Sequence, residues 1–123
     1  MAVVPQVVWV GGSRPWELAT PFIYYSEELN EEIIVPAGYQ TDLASVPRIP
    51  FVYARYGGRA VLASILHDYM YEVLGDKYSR KQADRVFLEA MRKFEEPGRY
   101  KSRMMYTAVR VFGWAPWRRY RNG

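Results

Sequence analysis

The residues from 58 to 75, GRAVLASILHDYMYEVLG, constrain the fold of this chain more than any other stretch. Their large apolar side chains recur at intervals of three and four, which predicts a helix with one broad buried face. The opposite face carries mostly small or polar side chains: Ala60, Ala63, Ser64, His67, Asp68 and Tyr71. Such a face suits close approach by another segment. We therefore predict a central helix that is covered on both sides.

The bulk composition limits the class of protein. Half of the 123 residues are hydrophobic, which is enough to bury one core, so we predict a single domain. The absence of cysteine excludes thiol nucleophiles, disulfides and cysteine-ligated metals. The N-terminus lacks the basic start and long apolar run of a secretory signal, and no stretch reaches the ~20 apolar residues that span a bilayer. We expect no signal peptide and no transmembrane segment.

The first third of the chain predicts a small antiparallel sheet. Runs of β-branched and aromatic residues are separated by Gly and Pro turns that are too short for crossovers, and they fall within residues 1–38 at 3–10, 16–18, 22–25 and 33–35. Residues 39–56 predict a rigid loop that crosses towards the central helix, because Pro47 and Pro50 prevent a long helix there.

Three helices are predicted after this loop, at 58–75, 79–96 and 99–113. The second opens with a capping box, Ser79 and Gln82. Its apolar stripe consists of Ala83, Val86, Phe87, Ala90, Met91 and Phe94. The third is expected to turn Met104, Met105, Ala108, Val109 and Phe112 inward, and Arg103 and Arg110 outward. The predicted fold is an α+β domain in which the small N-terminal antiparallel sheet packs with these three helices.

Charge is unevenly distributed along the chain. Residues 1–96 carry ten basic and thirteen acidic residues, whereas residues 97–123 carry seven basic residues and no acid. Residues 114–123 form a basic, aromatic tail, in which we predict these partner-binding residues: Trp114, Trp117, Arg118, Arg119, Tyr120 and Arg121. Three other roles are possible for this tail. It could be a solvated surface without a partner, it could stack on nucleic-acid bases, or it could bind an anionic membrane surface. We favour a protein partner over nucleic acid, because the tail is short and lacks a nucleic-acid module.

His67, the sole histidine, marks the candidate site. Neighbouring helical residues diverge by ~100°, so Asp68 cannot orient His67, and Asp42 or Asp84 would have to do so. One alternative is a histidine that only satisfies an interior hydrogen bond. A second is a general base acting with Ser45.

A third alternative is a divalent metal such as zinc, manganese or magnesium, held by Asp42, His67, Asp68 and Asp84. Two of these acids, Asp84 and Asp42, also have simpler structural roles. Asp84 lies one turn after Arg80 and can pair with it. Asp42 and Ser45 can bond the local backbone in a turn.

Several enzyme classes are excluded by what the sequence lacks. A single histidine does not suffice for His-Asp phosphohydrolases or for zinc peptidases that use two or three histidines. No GxSxG elbow, Walker loop or GxGxxG motif occurs.

Four segments resemble, in order and spacing, a family of small proteins of unknown function common in bacteriophages and prophages. They are VPAGYQTDLASVPR, LHDYMYE, SRKQADRVFLEAM and YTAVRVFGW. The family hallmarks are a G-(F/Y)-x-T-D-x-A-S-x-P loop, an HDxxY helix and an RxxAD helix. The match covers residues 33–114, and its polar positions fall on Thr41, Asp42, Ser45, His67, Asp68, Arg80 and Asp84. The resemblance implies a viral origin but no established reaction.

Two functional hypotheses follow. The first is a noncatalytic bacteriophage component, in the virion, its tail or its assembly, that docks to other phage subunits or to copies of itself. The polar cluster is then a structural brace. The alternative is a phage-encoded, hydrolase-like enzyme acting on the host envelope, with these catalytic residues: Asp42, Ser45, His67, Asp68 and Asp84. Either would be located in the virion or the host cytoplasm.

Overall fold

The computed structural model describes residues 2–42, 59–94 and 98–122. The chain forms two compact units, residues 1–42 and residues 43–123, which we call the sheet unit and the helical unit. The described strands lie in the first unit and the described helices in the second. This confirms the predicted α+β class of the domain. No helix in the described ranges is both long and apolar enough to cross a membrane.

The sheet unit contains six short strands within its described residues: β1 (Ala2–Val3), β2 (Val7–Trp9), β3 (Trp16–Leu18), β4 (Phe22–Ser26), β5 (Glu31–Val35) and β6 (Gln40–Thr41). Their pairings are antiparallel, as predicted. They form two three-stranded sheets, ordered β1-β4-β5 and β2-β3-β6, so the prediction of a single sheet was wrong.

Pro5 explains the division into two sheets. The run 3–10 was predicted as one strand, but β1 pairs with β4 while β2 pairs with β3. Proline between them cannot donate a ladder hydrogen bond. The next residue, Gln6, donates its backbone N–H to the Thr20 hydroxyl at 2.8 Å. The start of the predicted crossing loop also differs, because residues 40 and 41 pair with β3 as β6. The rest of that loop lies outside the described residues.

Alternation along β4 and β5 builds the core of the sheet unit. The register places Phe22 opposite Val35 and Tyr24 opposite Ile33, and all four side chains are buried. Leu18 of β3 is buried as well. Burial of alternate residues on paired strands is the usual pattern of a sheet with one covered face.

The helical unit contains four helices in its described part: α1 (Arg59–Glu72), α2 (Arg80–Phe94), α3 (Gly98–Phe112) and α4 (Trp114–Asn122). Three were predicted, and the correction concerns the tail, most of which is helical. Pro116 is compatible with this helix because it lies in the first turn of α4, where the missing N–H has no intrahelical partner. The first helical bond of α4 runs from the Trp117 N–H to the Gly113 carbonyl at 3.1 Å.

The capping box of α2 is confirmed in both directions. The Gln82 N–H donates to the Ser79 hydroxyl at 3.1 Å, and the Ser79 N–H donates to the Gln82 side-chain carbonyl at 2.8 Å. The apolar stripe of α2 is buried from Ala83 to Met91, as predicted.

Helix α1 is covered on both faces, which confirms the prediction. Its apolar face buries Ile65, Leu66 and Met70, and its other face buries Ala63, Ser64, His67, Asp68 and Tyr71. Two apolar residues at helix ends were expected inside and are exposed. Val73 follows the end of α1, and Phe112 is the last residue of α3, so the buried stripe of α3 ends at Val109.

Candidate functional site

A fully buried carboxylate, Asp84 of α2, lies at the centre of the helical unit. Its Oδ1 accepts a hydrogen bond from the Tyr71 hydroxyl at 2.6 Å and lies 2.6 Å from Nε2 of His67. Its Oδ2 accepts from Nη1 of Arg110 at 2.8 Å. Side chains of α1 and α3 therefore converge on one acid of α2. We call His67, Tyr71, Arg80, Asp84 and Arg110 the Asp84 cluster.

The spacing on α1 explains how two donors reach the same oxygen. His67 and Tyr71 are four residues apart and so lie on one face of the helix. Their ring centroids are 4.2 Å apart, and the Phe87 ring lies 5.0 Å from the His67 ring. An ionised carboxylate only accepts hydrogen bonds, so a hydrogen bond with ionised Asp84 requires the tautomer in which Nε2 of His67 carries the hydrogen and acts as donor. The imidazole has no exposed surface.

Arg80 joins the start of α2 to the end of α3. Its guanidinium donates to the backbone carbonyls of Val109 and Arg110, each at 3.1 Å, and Nη1 lies 3.7 Å from Asp84 Oδ2. The last carbonyls of a helix lack intrahelical donors and carry partial negative charge. The same arginine therefore stabilises a helix end and partly balances the buried acid.

Helix α4 packs on α1 through three side chains. Trp117 meets the Tyr71 ring edge to face, with centroids 5.1 Å apart, and the Tyr120 hydroxyl donates to Asp68 Oδ1 at 3.2 Å. Nη2 of Arg121 donates to the Tyr71 carbonyl at 2.6 Å. Arg121 thus caps the C-terminus of α1, just as Arg80 caps that of α3.

The environment of Tyr71 keeps its hydroxyl protonated. Burial raises the pKa of Tyr71 well above its ordinary value. The negative charge of Asp84 and the hydrogen bond to it raise the pKa further, while Arg80 lowers it. The hydroxyl is therefore a permanent donor to Asp84 across the physiological pH range.

The structure brings together two of the five predicted catalytic residues. Of the two candidates for the histidine-orienting acid, Asp42 and Asp84, Asp84 contacts His67. The simpler alternative for Asp84 is also present, because Arg80 lies near the opposite oxygen. Asp68 is buried and accepts from Tyr120. Asp42 is half-buried at the end of the sheet unit, and Ser45 lies outside the described residues.

The described residues contain no group of three or more histidine and acidic side chains arranged to hold a metal ion. At Asp84, both oxygens already accept hydrogen bonds, and two guanidiniums approach Oδ2, so their charge opposes a cation at that oxygen. The metal site that would include Asp42, His67 and Asp68 stays a prediction.

The six predicted partner-binding residues divide into two sets of three by whether a contact with α1 is seen for them. Trp117, Tyr120 and Arg121 contact α1, as described above. The other three, Trp114, Arg118 and Arg119, are exposed. Together with the exposed Val111 and Phe112 at the end of α3, they form a surface that we call the corner patch.

Sequence reasoning missed two members of the Asp84 cluster. Arg110 was expected to face outward, but its guanidinium reaches Asp84 because a buried acid requires a cation or several donors. Tyr71 was noted only as part of the covered face. Its position four residues after His67 was the available signal, since it places both side chains against the same neighbour.

Two chemical roles suit this arrangement. A carboxylate that receives donors from several helices braces those helices against one another. An imidazole oriented by a carboxylate is also a common element of acid–base catalysis, provided that a substrate can reach its other nitrogen.

Comparison with known proteins identifies the family but no function. A family model described as a protein of unknown function, DUF1353, matches residues 16–109. Neither the curated proteins nor the solved structures include a match. Since the matched segment covers most of the sequence, this chain belongs to the DUF1353 family.

Proposed function

We propose that this protein is a noncatalytic component of a bacteriophage, in the particle or its assembly, and that it works by docking to other subunits. One observation carries the proposal: Asp84 has no exposed surface, and both of its oxygens accept hydrogen bonds from neighbouring helices. His67, its third partner, is equally buried. These polar residues stabilise the packing of the helices, which accounts for their presence without a reaction.

The corner patch supplies the docking surface in this proposal. Phe112 is 61% exposed and Trp114 is 54% exposed, and the exposed Arg118 lies one helical turn after Trp114. Aromatic anchors surrounded by arginine are the composition that protein interfaces favour. The resemblance of the loop and helix motifs to a phage and prophage family supports the viral assignment.

The decisive experiment compares two variants in the phage or prophage that encodes the protein. Phe112→Ser/Trp114→Ser changes the corner patch, whereas His67→Gln removes the imidazole but keeps a side-chain N–H that can donate to Asp84. We expect the first variant to lower infectious titre at least about tenfold, in line with the loss of an interface anchor. The Phe112→Ser/Trp114→Ser protein should also be absent from sedimenting particles or assembly intermediates. Folded His67→Gln should leave both readouts near the wild-type level.

The opposite pattern would overturn the proposal. A folded His67→Gln protein that associates normally but abolishes infection requires a chemical role for the imidazole. Urea denaturation of each purified variant establishes that it is folded.

A hydrolase-like enzyme acting on the host envelope is the second candidate. The 2.6 Å contact between His67 and Asp84 favours it, because that contact fixes the imidazole as a general base would require. Release of soluble fragments from purified host envelope by the wild type, but not by His67→Gln, would support it. No release, together with normal infection by His67→Gln, would exclude it.

A further inference from the structure

Formal charge is divided between the two units. Residues 1–42 contain one basic and six acidic residues, whereas residues 43–123 contain sixteen basic and seven acidic residues. The sheet unit is therefore negative and the helical unit strongly positive. Opposite charge on two separate surfaces of one chain is the condition for electrostatic attraction between copies.

The negative charge of the sheet unit is concentrated on the β4–β5 hairpin. We call its four exposed glutamates, together with the exposed Ile34, the acidic hairpin: Glu27, Glu28, Glu31, Glu32 and Ile34. Glu32 and Ile34 are two residues apart on β5, so they share the outward face of that strand. β5 is an edge strand of its sheet, so within the described residues one of its sides pairs with no other strand.

The hairpin is held in one shape by its turn. The Ser26 hydroxyl accepts from the Leu29 N–H at 3.2 Å, and Tyr25 donates to the side chain of Asn30. Asn30 adopts a left-handed conformation with φ of 53°, which asparagine tolerates better than most residues. A preformed hairpin loses little conformational entropy when it binds.

The corner patch is complementary to this hairpin in charge and in apolar content. Trp114 and Arg118 are four residues apart on α4, so the aromatic ring and a guanidinium lie on the same face. Ile34 of the hairpin is 52% exposed and provides an apolar contact beside its glutamates. Each surface thus offers an apolar centre with charges of one sign.

We propose that the corner patch of one copy binds the acidic hairpin of a second copy, so that the chain self-associates head to tail. The inference deepens the proposed function, on which it rests, by naming the occupant of the same patch. A contact between two different surfaces is heterologous, so it leads to a closed ring or to an open filament. The argument for a second copy is that the complementary surface is present and exposed on the chain itself.

Charge reversal on each side tests the proposal. We expect light scattering after gel filtration at low salt to give a mass above the 14.4 kDa of one chain. Glu31→Lys/Glu32→Lys and Arg118→Glu/Arg119→Glu should each weaken association at least about tenfold, because each places like charges opposite one another. An equimolar mixture of the two variants should recover a complex, since each retains the surface that the other has lost. Lys81→Glu/Arg92→Glu, which reverses two charges on α2, is the matched control and should associate like the wild type.

Two outcomes would overturn the inference: a wild-type protein that stays monomeric at about 100 μM, far above the Kd of a stable interface, or an oligomer that both reversals leave intact. The particle assay with Phe112→Ser/Trp114→Ser shows whether only the self-association proposal fails or whether the proposed docking function fails as well. Monomeric protein with patch-dependent particle association means that another phage subunit occupies the patch.

Discussion

Asp84 is the residue on which the helical unit most depends. An isolated buried carboxylate is strongly unfavourable, and here Tyr71, His67 and Arg110 offset that cost by direct contact. Removing one partner of such a network leaves the others buried without compensation. The penalty for that removal exceeds the net stabilisation that the complete network provides.

Asp84→Asn should therefore destabilise the protein severely. The amide keeps the shape of the side chain but cannot neutralise Arg110, so we expect a loss of about 3–5 kcal/mol in the free energy of unfolding. Urea denaturation at pH 7 measures it. The control is Asp76→Asn at an exposed position, which should change stability by less than about 0.5 kcal/mol. Equal effects of the two substitutions would refute the central role of Asp84.

The raised pKa of Tyr71 predicts that the protein loses stability at alkaline pH. Its pKa is raised in the folded protein, so the folded state retains a proton that the unfolded chain releases near its ordinary pKa of about 10. The resulting stabilisation is fully present below pH ~10 and is lost as pH rises above it. Between pH 10 and 11, wild-type stability should fall more steeply than that of Tyr71→Phe, by about 1 kcal/mol over that pH unit, because the unfolded tyrosine is only half ionised at pH 10. Between pH 7 and 9 the two slopes should be equal, and parallel slopes above pH 10 would contradict the assignment.

Part of the Asp84 cluster could be predicted from the sequence. The divergence of neighbouring helical residues excluded Asp68 as the partner of His67 and left two acids, one of which is Asp84. The arginine that completes the cluster was not predictable from the wheel of α3 alone. A side chain as long as arginine can emerge at the margin of a helix and still direct its charge inward.

At the scale of elements, helix ends are satisfied by arginines from other helices. Arg80 of α2 binds the last carbonyls of α3, and Arg121 of α4 binds those of α1. Two glycines allow these approaches. A Cβ on Gly113 would collide with the Val109 carbonyl oxygen, and a Cβ on Gly75 would collide with the guanidinium of Arg121.

These two glycines should respond differently to substitution by alanine. At Gly113 the obstruction includes backbone, which cannot move aside, so we expect Gly113→Ala to cost about 1–3 kcal/mol. At Gly75 the nearest atoms belong to the end of a flexible side chain, so Gly75→Ala should cost less. Thermal unfolding of both variants compares them directly. A larger loss for Gly75→Ala would show that Arg121 is held more rigidly than the backbone at Val109.

Local sequence patterns predicted elements better than their assembly. The capping box and the apolar stripe predicted α2 correctly, because both signals depend on residues within one or two helical turns. The separation of the strands into two sheets depended on a single residue, Pro5. The helical conformation of the tail depended on the contacts of α4 with α1, which lies far away in the sequence. Tertiary contacts of that kind override local propensity.

For the whole molecule, the separation of charge between the units makes association sensitive to salt. If opposite charges direct the contact between copies, raising ionic strength from about 0.05 M to 0.5 M should weaken association, because the screening length falls below the size of the charged surfaces. Sedimentation velocity at both salt concentrations measures this change. Stronger association at high salt would indicate an interface held by its apolar residues alone.

The contact between Arg121 and the Tyr71 carbonyl spans fifty residues of sequence. The ribosome synthesises α1 well before it adds Arg121, the residue that caps the end of that helix. During this interval the contacts that α4 makes with the last carbonyls of α1 and with the Tyr71 ring have not yet formed. Synthesis of α4 is therefore the event that completes the helical unit, and a nascent chain arrested before it should be recognised by chaperones as unfinished.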